Sequence, residues 1–308
     1  MISIGIIGAG IVGERIIKQI QQEEKVSIKA VFDEQQERLD YLEETYGVAI
    51  ADSLEAVLHS NIDWLYIGTP PASHAPIAKL AASAGINVLS EKPLAHDAAA
   101  GEEMAEAADR NRIRTAMHFP LMYKPAVHEM VKRIRGGDIG KITRVELQTF
   151  FPDWPRGWQQ TPWIGSRSQG GFVREVFPHY LQLINRIFGG LTIQHHIITY
   201  PQQADLCETG LLAHGVIADG TPLLLSGISG IGQKELLQFK VYGEEGVLTL
   251  ENWSNLYEER KYEERKELAD FPEVPSLFES MQQQSTLLVP FEEGLIVQRH
   301  VDHLLKNG

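Results

Sequence analysis

Cysteine is nearly absent: Cys207 stands alone, so no disulfide can close within the chain and no Cys-based zinc site can form. Long apolar runs are missing too, and none approaches the ~20 residues that a membrane helix needs. The opening, MISIGIIGAG, has neither a basic leader nor an A-x-A-like cleavage site. Positive charge is scarce, with 28 lysines and arginines against 41 aspartates and glutamates, a formal net charge of −13. That balance disfavours non-specific binding to nucleic acid or anionic membrane. No G-x-S-x-G motif or Ser–His–Asp arrangement is legible. The histidines follow no metal-ligand spacing, and His195 and His196 alternate across a strand, so no metal is expected. These absences point to a cytoplasmic protein with no nucleic-acid or membrane partner.

What is present is ordinary globular chemistry. Of the 308 residues, 43% are hydrophobic, enough for two domains with buried cores. In the first third, ISIGIIG, VSIKAVFD, IDWLYIGTP and GINVLSEKP read as buried strands ending in Gly, Asp or Pro. Between them lie helical patterns such as DEQQERLDYLEETYG, with Leu39, Leu42 and Tyr46 on one stripe and Gly47 as C-cap. This alternation predicts βαβ units on a parallel sheet. After Phe119 the texture changes. A helix, AVHEMVKRIRGGDIG, precedes a series of strand-like segments without intervening helices, which predicts an α+β domain. The expected domains are therefore 1–119 and 120–308, with the last helix able to pack on either. The tandem echo YEERKYEERK reads as a solvated edge or loop.

Gly8-Ala9-Gly10-Ile11-Val12-Gly13 spells G-x-G-x-x-G between a strand and a helix. Gly8 permits the tight turn, Gly10 lets backbone approach a pyrophosphate, and Gly13 lets the helix pack close to the strand. The anion would meet free N–H groups at the helix N-terminus. Asp33 ends the second strand, 25 residues after Gly8, where a carboxylate can accept hydrogen bonds from ribose hydroxyls. Asp33 and Glu34 would repel a 2′-phosphate, so NAD is favoured over NADP, although Arg38 lies near enough to swing round.

With GAGIVG, GTPPASHAP and SEKPLA at successive strand ends, the sequence resembles the Gfo/Idh/MocA family of NAD(P)-dependent oxidoreductases, over nearly the whole chain. The resemblance implies a Rossmann domain followed by an open, mainly antiparallel sheet domain, with the active site in the cleft between them. It implies hydride transfer at a hydroxyl or carbonyl carbon of a sugar, cyclitol or related molecule, and a homodimer or homotetramer assembled through the open sheet. It also implies that Gly68, Thr69, Pro70, Pro71 and His74 flank the cofactor, that Glu91 borders it, and that Lys92 contacts both substrate and nicotinamide ribose. Segment GGFVREVFPHYLQL carries the family's third motif, with Glu175 where an aspartate is usual and His179 four residues on. Near His118, Met122 stands where an arginine is frequent.

The chemistry suits these residues. Removing a hydride from an alcohol carbon requires the hydroxyl proton to leave and the developing charge on oxygen to be held. Lys92 can stabilise an alkoxide, and His179 can take the proton, with Glu175 tuning either one. Pro178 is tolerated within a first helical turn, so the expected helix begins near Glu175 and places Glu175 and His179 on one face. A histidine near a helix N-terminus is biased neutral, which suits a base. The loop FPDWPRGWQQTPWIGSRSQGG holds Trp154, Trp158 and Trp163, read equally as a packed lid or subunit contact and as a sugar-stacking wall. His118, Trp163 and Arg174 are the candidate substrate contacts beside Lys92 and His179. Two rival readings remain: a non-catalytic dinucleotide-sensing regulator, and a reductase for a non-sugar cyclic substrate.

Overall fold

The computed structural model describes residues 1–159 and 161–306, so Gln160 of the tryptophan loop lies outside the described residues. Two compact units emerge: Met1–Phe119 with Pro275–Gln298, and Pro120–Val274 with Arg299–Gly308.

In the first unit, five parallel strands are β1 (Ile2–Ile7), β2 (Val26–Phe32), β3 (Trp64–Ile67), β4 (Asn87–Ser90) and β5 (Thr115–Met117). Their order is β2-β1-β3-β4-β5. Ile4, Ile6, Trp64, Leu65, Tyr66, Ile67, Val88 and Leu89 are all buried, because helices cover both faces of a parallel sheet. The helices are α1 (Ile11–Ile20), α2 (Gln36–Tyr46), α3 (Leu54–Leu58), α4 (His74–Ser83) and α5 (Ala98–Asn111). Helix α1 buries Ile16, Ile17 and Ile20. Helix α2 stops at Gly47, whose φ of 64° closes it in the left-handed conformation. The Asp97 carboxylate caps α5 through the Ala100 N–H, and Ser53 caps α3 through Ala56. The chain leaves β2 to return on the far side of β1, so the carboxyl ends of β1 and β3 adjoin at the topological switch point, where open α/β sheets bind ligands.

The second unit starts with α6 (Pro125–Gly136) and builds an eight-stranded sheet. Its strands are β6 (Ile142–Phe151), β7 (Leu191–Thr199), β8 (Gly210–Ile217), β9 (Pro222–Ser229), β10 (Leu236–Gly243), β11 (Gly246–Glu251), β12 (Asn255–Arg260) and β13 (Lys266–Leu268). Every pairing is antiparallel except β6 with β9, so the sheet is mixed at one seam. Helices α7 (Phe172–Glu175) and α8 (Phe177–Phe188) precede β7. The YEERK echo splits: its first copy lies mostly in β12, Tyr262 is exposed in a turn, and β13 forms the sheet edge.

The expectation that 120–308 forms one domain differs at 275–298. There α9 (Leu277–Gln283) buries Leu277, Phe278 and Met281, Val289 pairs with Met117, and the Phe291 N–H donates to Thr115 Oγ1 at 3.1 Å. The Arg114 guanidinium adds a bond to the Met281 carbonyl at 3.0 Å. Those contacts place the segment in the first unit. Helix α10 (Phe291–Leu305) is divided between the units after Gln298.

Candidate functional site

The glycine turn is organised from below by Asp33. Its Oδ2 accepts the Ala9 N–H at 2.7 Å and its Oδ1 accepts the Gln35 N–H at 3.0 Å. A Cβ on Gly13 would lie 2.5 Å from the Gly8 carbonyl oxygen, so only glycine lets α1 pack this close to the turn. Gly10 is different. Its φ of −60° suits any residue, and an added Cβ would meet nothing within 4 Å. Neither backbone nor packing among the described residues calls for glycine there. The space it leaves lies at the N-terminus of α1, over unpaired helix N–H groups, as an anion would need. On this observation the turn fits a dinucleotide pyrophosphate.

The turns after β3 and β4 are stapled together by His74. Its ring is fully buried, with Nε2 2.8 Å from the Thr69 carbonyl and Nδ1 3.0 Å from that of Pro93. Burial lowers its pKa, against the backbone hydrogen bonds to Thr69, Leu94 and Pro93 and the charge of Glu91, which raise it. Thr69 and Pro70 precede a 3₁₀ turn, Pro71–Ser73, that leads into α4. Gly68 continues the β1–β3 pairing, donating its N–H to Ile7 at 2.8 Å.

Glu91 is the hub beneath Lys92. It is buried, accepts the Tyr66 hydroxyl at 3.0 Å, and is hydrogen-bonded to His118 Nδ1. Burial alone would raise its pKa. The charge and hydrogen bond of His118, then Lys92 and Tyr66, outweigh that and hold it below the usual carboxylate range. Lys92 follows at the carboxyl end of β4, half-buried, before a cis bond to Pro93. The structure thus brings Glu91, Lys92 and His118 together, with His74 behind them.

In the second unit, one expectation is corrected. Glu175 and His179 do not share a continuous helix: Glu175 ends α7, Val176 breaks the run with φ −117°, and α8 restarts at Phe177. Pro178 lacks an N–H and its ring would clash with the carbonyl four residues back, so it falls in the first turn of a new helix. His179 is 6% exposed and meets Trp253 edge-on at 5.0 Å between ring centroids. Arg174 Nη1 binds the backbone carbonyls of Arg167 and Gly170, at 3.0 and 3.1 Å. Trp163 stands in the 3₁₀ turn Pro162–Gly165, half-buried. Trp154 packs against Phe151 and Phe172, with Arg156 over its ring, while Trp158 is exposed.

Two residues packed against the α7–α8 segment escaped sequence reasoning. Trp253 closes the β11–β12 turn with Asn252, at φ 75° and 47°, and the Ser254 N–H bonds back to the Glu251 carbonyl at 3.3 Å. A two-residue turn with both φ positive favours Asn-Gly; an indole in the glycine place is strained, and its ring contacts His179 and Tyr180. The signal was the short ENWSN link between two strand patterns. Glu208 had no signal. It is 1% exposed, its Oε1 accepts the Val173 N–H of α7 at 2.7 Å, and its carboxylate fills the space that Gly171, at φ 100°, leaves open.

Burial pushes the Glu208 carboxyl up to about 7, against the pull of the Val173 N–H and Arg174. A group that binds its proton more tightly when folded stabilises the fold at low pH. That contribution is lost as the pH rises from the ordinary carboxylate value through about 7. Replacing Glu208→Gln should therefore leave stability similar near pH 5. Above pH 7 the variant should gain about 3 kcal/mol over the native chain in denaturant unfolding. A difference that stays constant from pH 5 to 8 would contradict this.

Residues 2–119 match the Gfo/Idh/MocA family, described as an oxidoreductase family with an NAD-binding Rossmann fold. Inositol 2-dehydrogenase of Corynebacterium glutamicum is 23% identical over 232 residues, covering 70% of this chain and 65% of that protein. Two solved structures share the fold. A 3-ketoreductase of Actinomadura kijaniata, in complex with NADP and TDP-benzene, superimposes with a TM-score of 0.83 at 18% identity, covering 98% of this chain and 96% of that one. An Agrobacterium radiobacter oxidoreductase, in complex with NAD+, L-tartaric acid and magnesium, gives 0.83 at 14% identity, covering 98% and 94%. The matched stretch spans about half the length of other curated relatives, 51% of an uncharacterized oxidoreductase of Streptococcus pneumoniae. The parallel sheet, the glycine turn and the family match agree: residues 2–119 match the NAD-binding Rossmann fold of the Gfo/Idh/MocA oxidoreductase family.

Proposed function

We propose that this chain is a nicotinamide-dependent dehydrogenase or reductase acting on a hydroxyl or carbonyl carbon of a sugar or cyclitol, with NAD preferred. The observation that carries the reading is Gly10, where an added Cβ would meet nothing within 4 Å at the N-terminus of α1. Gly8 to Gly13 and Asp33 would hold the adenosine and pyrophosphate end. Gly68, Thr69, Pro70 and Pro71, with His74 bracing their turn, would border the cofactor together with Glu91 and Lys92. Bound there, the nicotinamide supplies the acceptor or donor of a hydride.

The chain's own residues do the rest. Lys92 steadies negative charge on the substrate oxygen, next to the buried Glu91 carboxylate, whose pKa is lowered chiefly by His118. His179 takes the hydroxyl proton during oxidation and returns it during reduction. Its edge contact with Trp253 limits the tilt of the imidazole. Trp163, Arg174 and His118 are the proposed substrate contacts, with Glu175 tuning the acid–base pair. Relatives that act on inositol and on keto-sugars support the substrate class.

The open sheet supports assembly with a second copy. Ile197 on β7 and its cross-strand partner Leu212 on β8 are 69% and 57% exposed, and Ile228 on β9 is 40% exposed. Exposed side chains of this kind on adjacent strands favour a covering partner. Sedimentation of the Leu212→Lys variant should show monomer where the native chain sediments as dimer or tetramer; a native monomer would rule the assembly out.

Activity on a panel of sugars, inositols and keto-sugars, followed by absorbance of reduced cofactor, tests the chemistry. Lys92→Ala should lower turnover by roughly 10²-fold or more while NADH affinity changes by less than about threefold. Unchanged turnover would remove Lys92 from the reaction.

A further inference from the structure

Arg38, near the start of α2, reaches back over the glycine turn. Its Nε donates to the Ala9 carbonyl at 2.7 Å, and its Nη2 to the Gly10 carbonyl at 3.2 Å and to Glu14 Oε2 at 2.6 Å. Its guanidinium also covers the Tyr41 ring at 5.1 Å. Glu14, in the first turn of α1, anchors the arrangement. Its Oε1 accepts the Tyr46 hydroxyl at 2.6 Å and meets the Lys18 ammonium at 2.9 Å, with the Tyr41 hydroxyl at 3.3 Å.

The Ala9 residue is thus gripped from two sides. Asp33 takes its N–H and Arg38 takes its carbonyl. A carboxylate and a guanidinium stand one residue's width apart, at the strand end where the adenosine ribose would lie. A ribose carrying a 2′-phosphate would need that guanidinium, because Asp33 and Glu34 present only negative charge. The guanidinium is already committed. Partial burial would raise the Glu14 pKa, but hydrogen bonds from Tyr46, Lys18 and Arg38 prevail and hold it at about 2, so the anchor stays charged at any working pH.

We propose that Glu14 is a cofactor-specificity residue: by fixing Arg38 on the carbonyls of the glycine turn, it denies a 2′-phosphate its cation and so selects NAD over NADP. This rests on the dinucleotide reading of the turn, and the test separates the two.

The test is a fluorescence titration of NADH and NADPH against the native chain and the variants Glu14→Gln, Arg38→Ala, Glu14→Gln with Arg38→Ala, and Glu14→Gln with Lys18→Gln. A thermal melt of each confirms folding. The native chain should bind NADH more tightly than NADPH. Glu14→Gln should improve NADPH binding relative to NADH by about tenfold, the size of one charge-assisted phosphate contact. Removing Arg38 in that background should abolish the gain, whereas removing Lys18 should preserve it. In the native background Arg38→Ala should leave the NADPH-to-NADH ratio within about twofold, a readout that holds even if Glu14→Gln does not fold. An unchanged ratio in Glu14→Gln, a gain that survives loss of Arg38, a marked fall in NADPH binding by Arg38→Ala alone, or a native preference for NADPH would each overturn the proposal. A native chain that binds neither dinucleotide would instead overturn the cofactor reading beneath it.

Discussion

The hydrogen bond from the Ala9 N–H to the Asp33 carboxylate is the contact on which the first unit's site depends. It ties the carboxyl end of β2 to the turn after β1, and so sets where α1 begins. A charge-assisted bond of this kind is roughly twice as strong as a neutral one. The same carboxylate also receives the Gln35 N–H, which fixes the entry to α2. From that entry Arg38 reaches the glycine turn and Glu14, and the close approach of Gly13 to the Gly8 carbonyl completes the junction. One side chain thereby determines the geometry of two helix starts, leaving the space over Gly10 open.

A second buried carboxylate performs the same task at the end of β4. Glu91 gathers Tyr66 from β3, His118 from the end of β5, and Lys92 beside it. Breaking such a buried pair by removing one partner leaves an uncompensated charge, at a cost of about 3–5 kcal/mol. The cluster therefore resists rearrangement. In the second unit the comparable device is apolar and strained: Trp253, held at positive φ, is pressed edge-on against His179.

Much of this was legible in the amino-acid sequence, and the reasons for the rest are physical. Strands β1 to β4 showed as Ile- and Val-rich runs, because both faces of a parallel sheet are buried. Asp33 could be found from its spacing to Gly8. Helix α3 was missed, since five residues are too few to reveal a period. The Glu175–His179 segment was read as continuous, because residue spacing cannot say whether Pro178 lies in the first turn of one helix or restarts another. Glu208 left no trace in sequence, as its burial comes from the distant Gly171 turn rather than from its neighbours. Segment 275–298 groups with the first unit for the same kind of reason: Val289 finds its partner Met117 far away in the chain.

The most direct test of the central claim is calorimetric titration of NADH into the Gly10→Ala variant, paired with its melting temperature. An added methyl group meets no protein atom within 4 Å, so the variant should melt within a few degrees of the native chain, an N-cap effect of a few tenths of a kcal/mol to about 1 kcal/mol. The methyl would occupy the space proposed for the pyrophosphate, so NADH affinity should fall by about tenfold or more. Native-like NADH affinity in a folded Gly10→Ala protein would contradict the account.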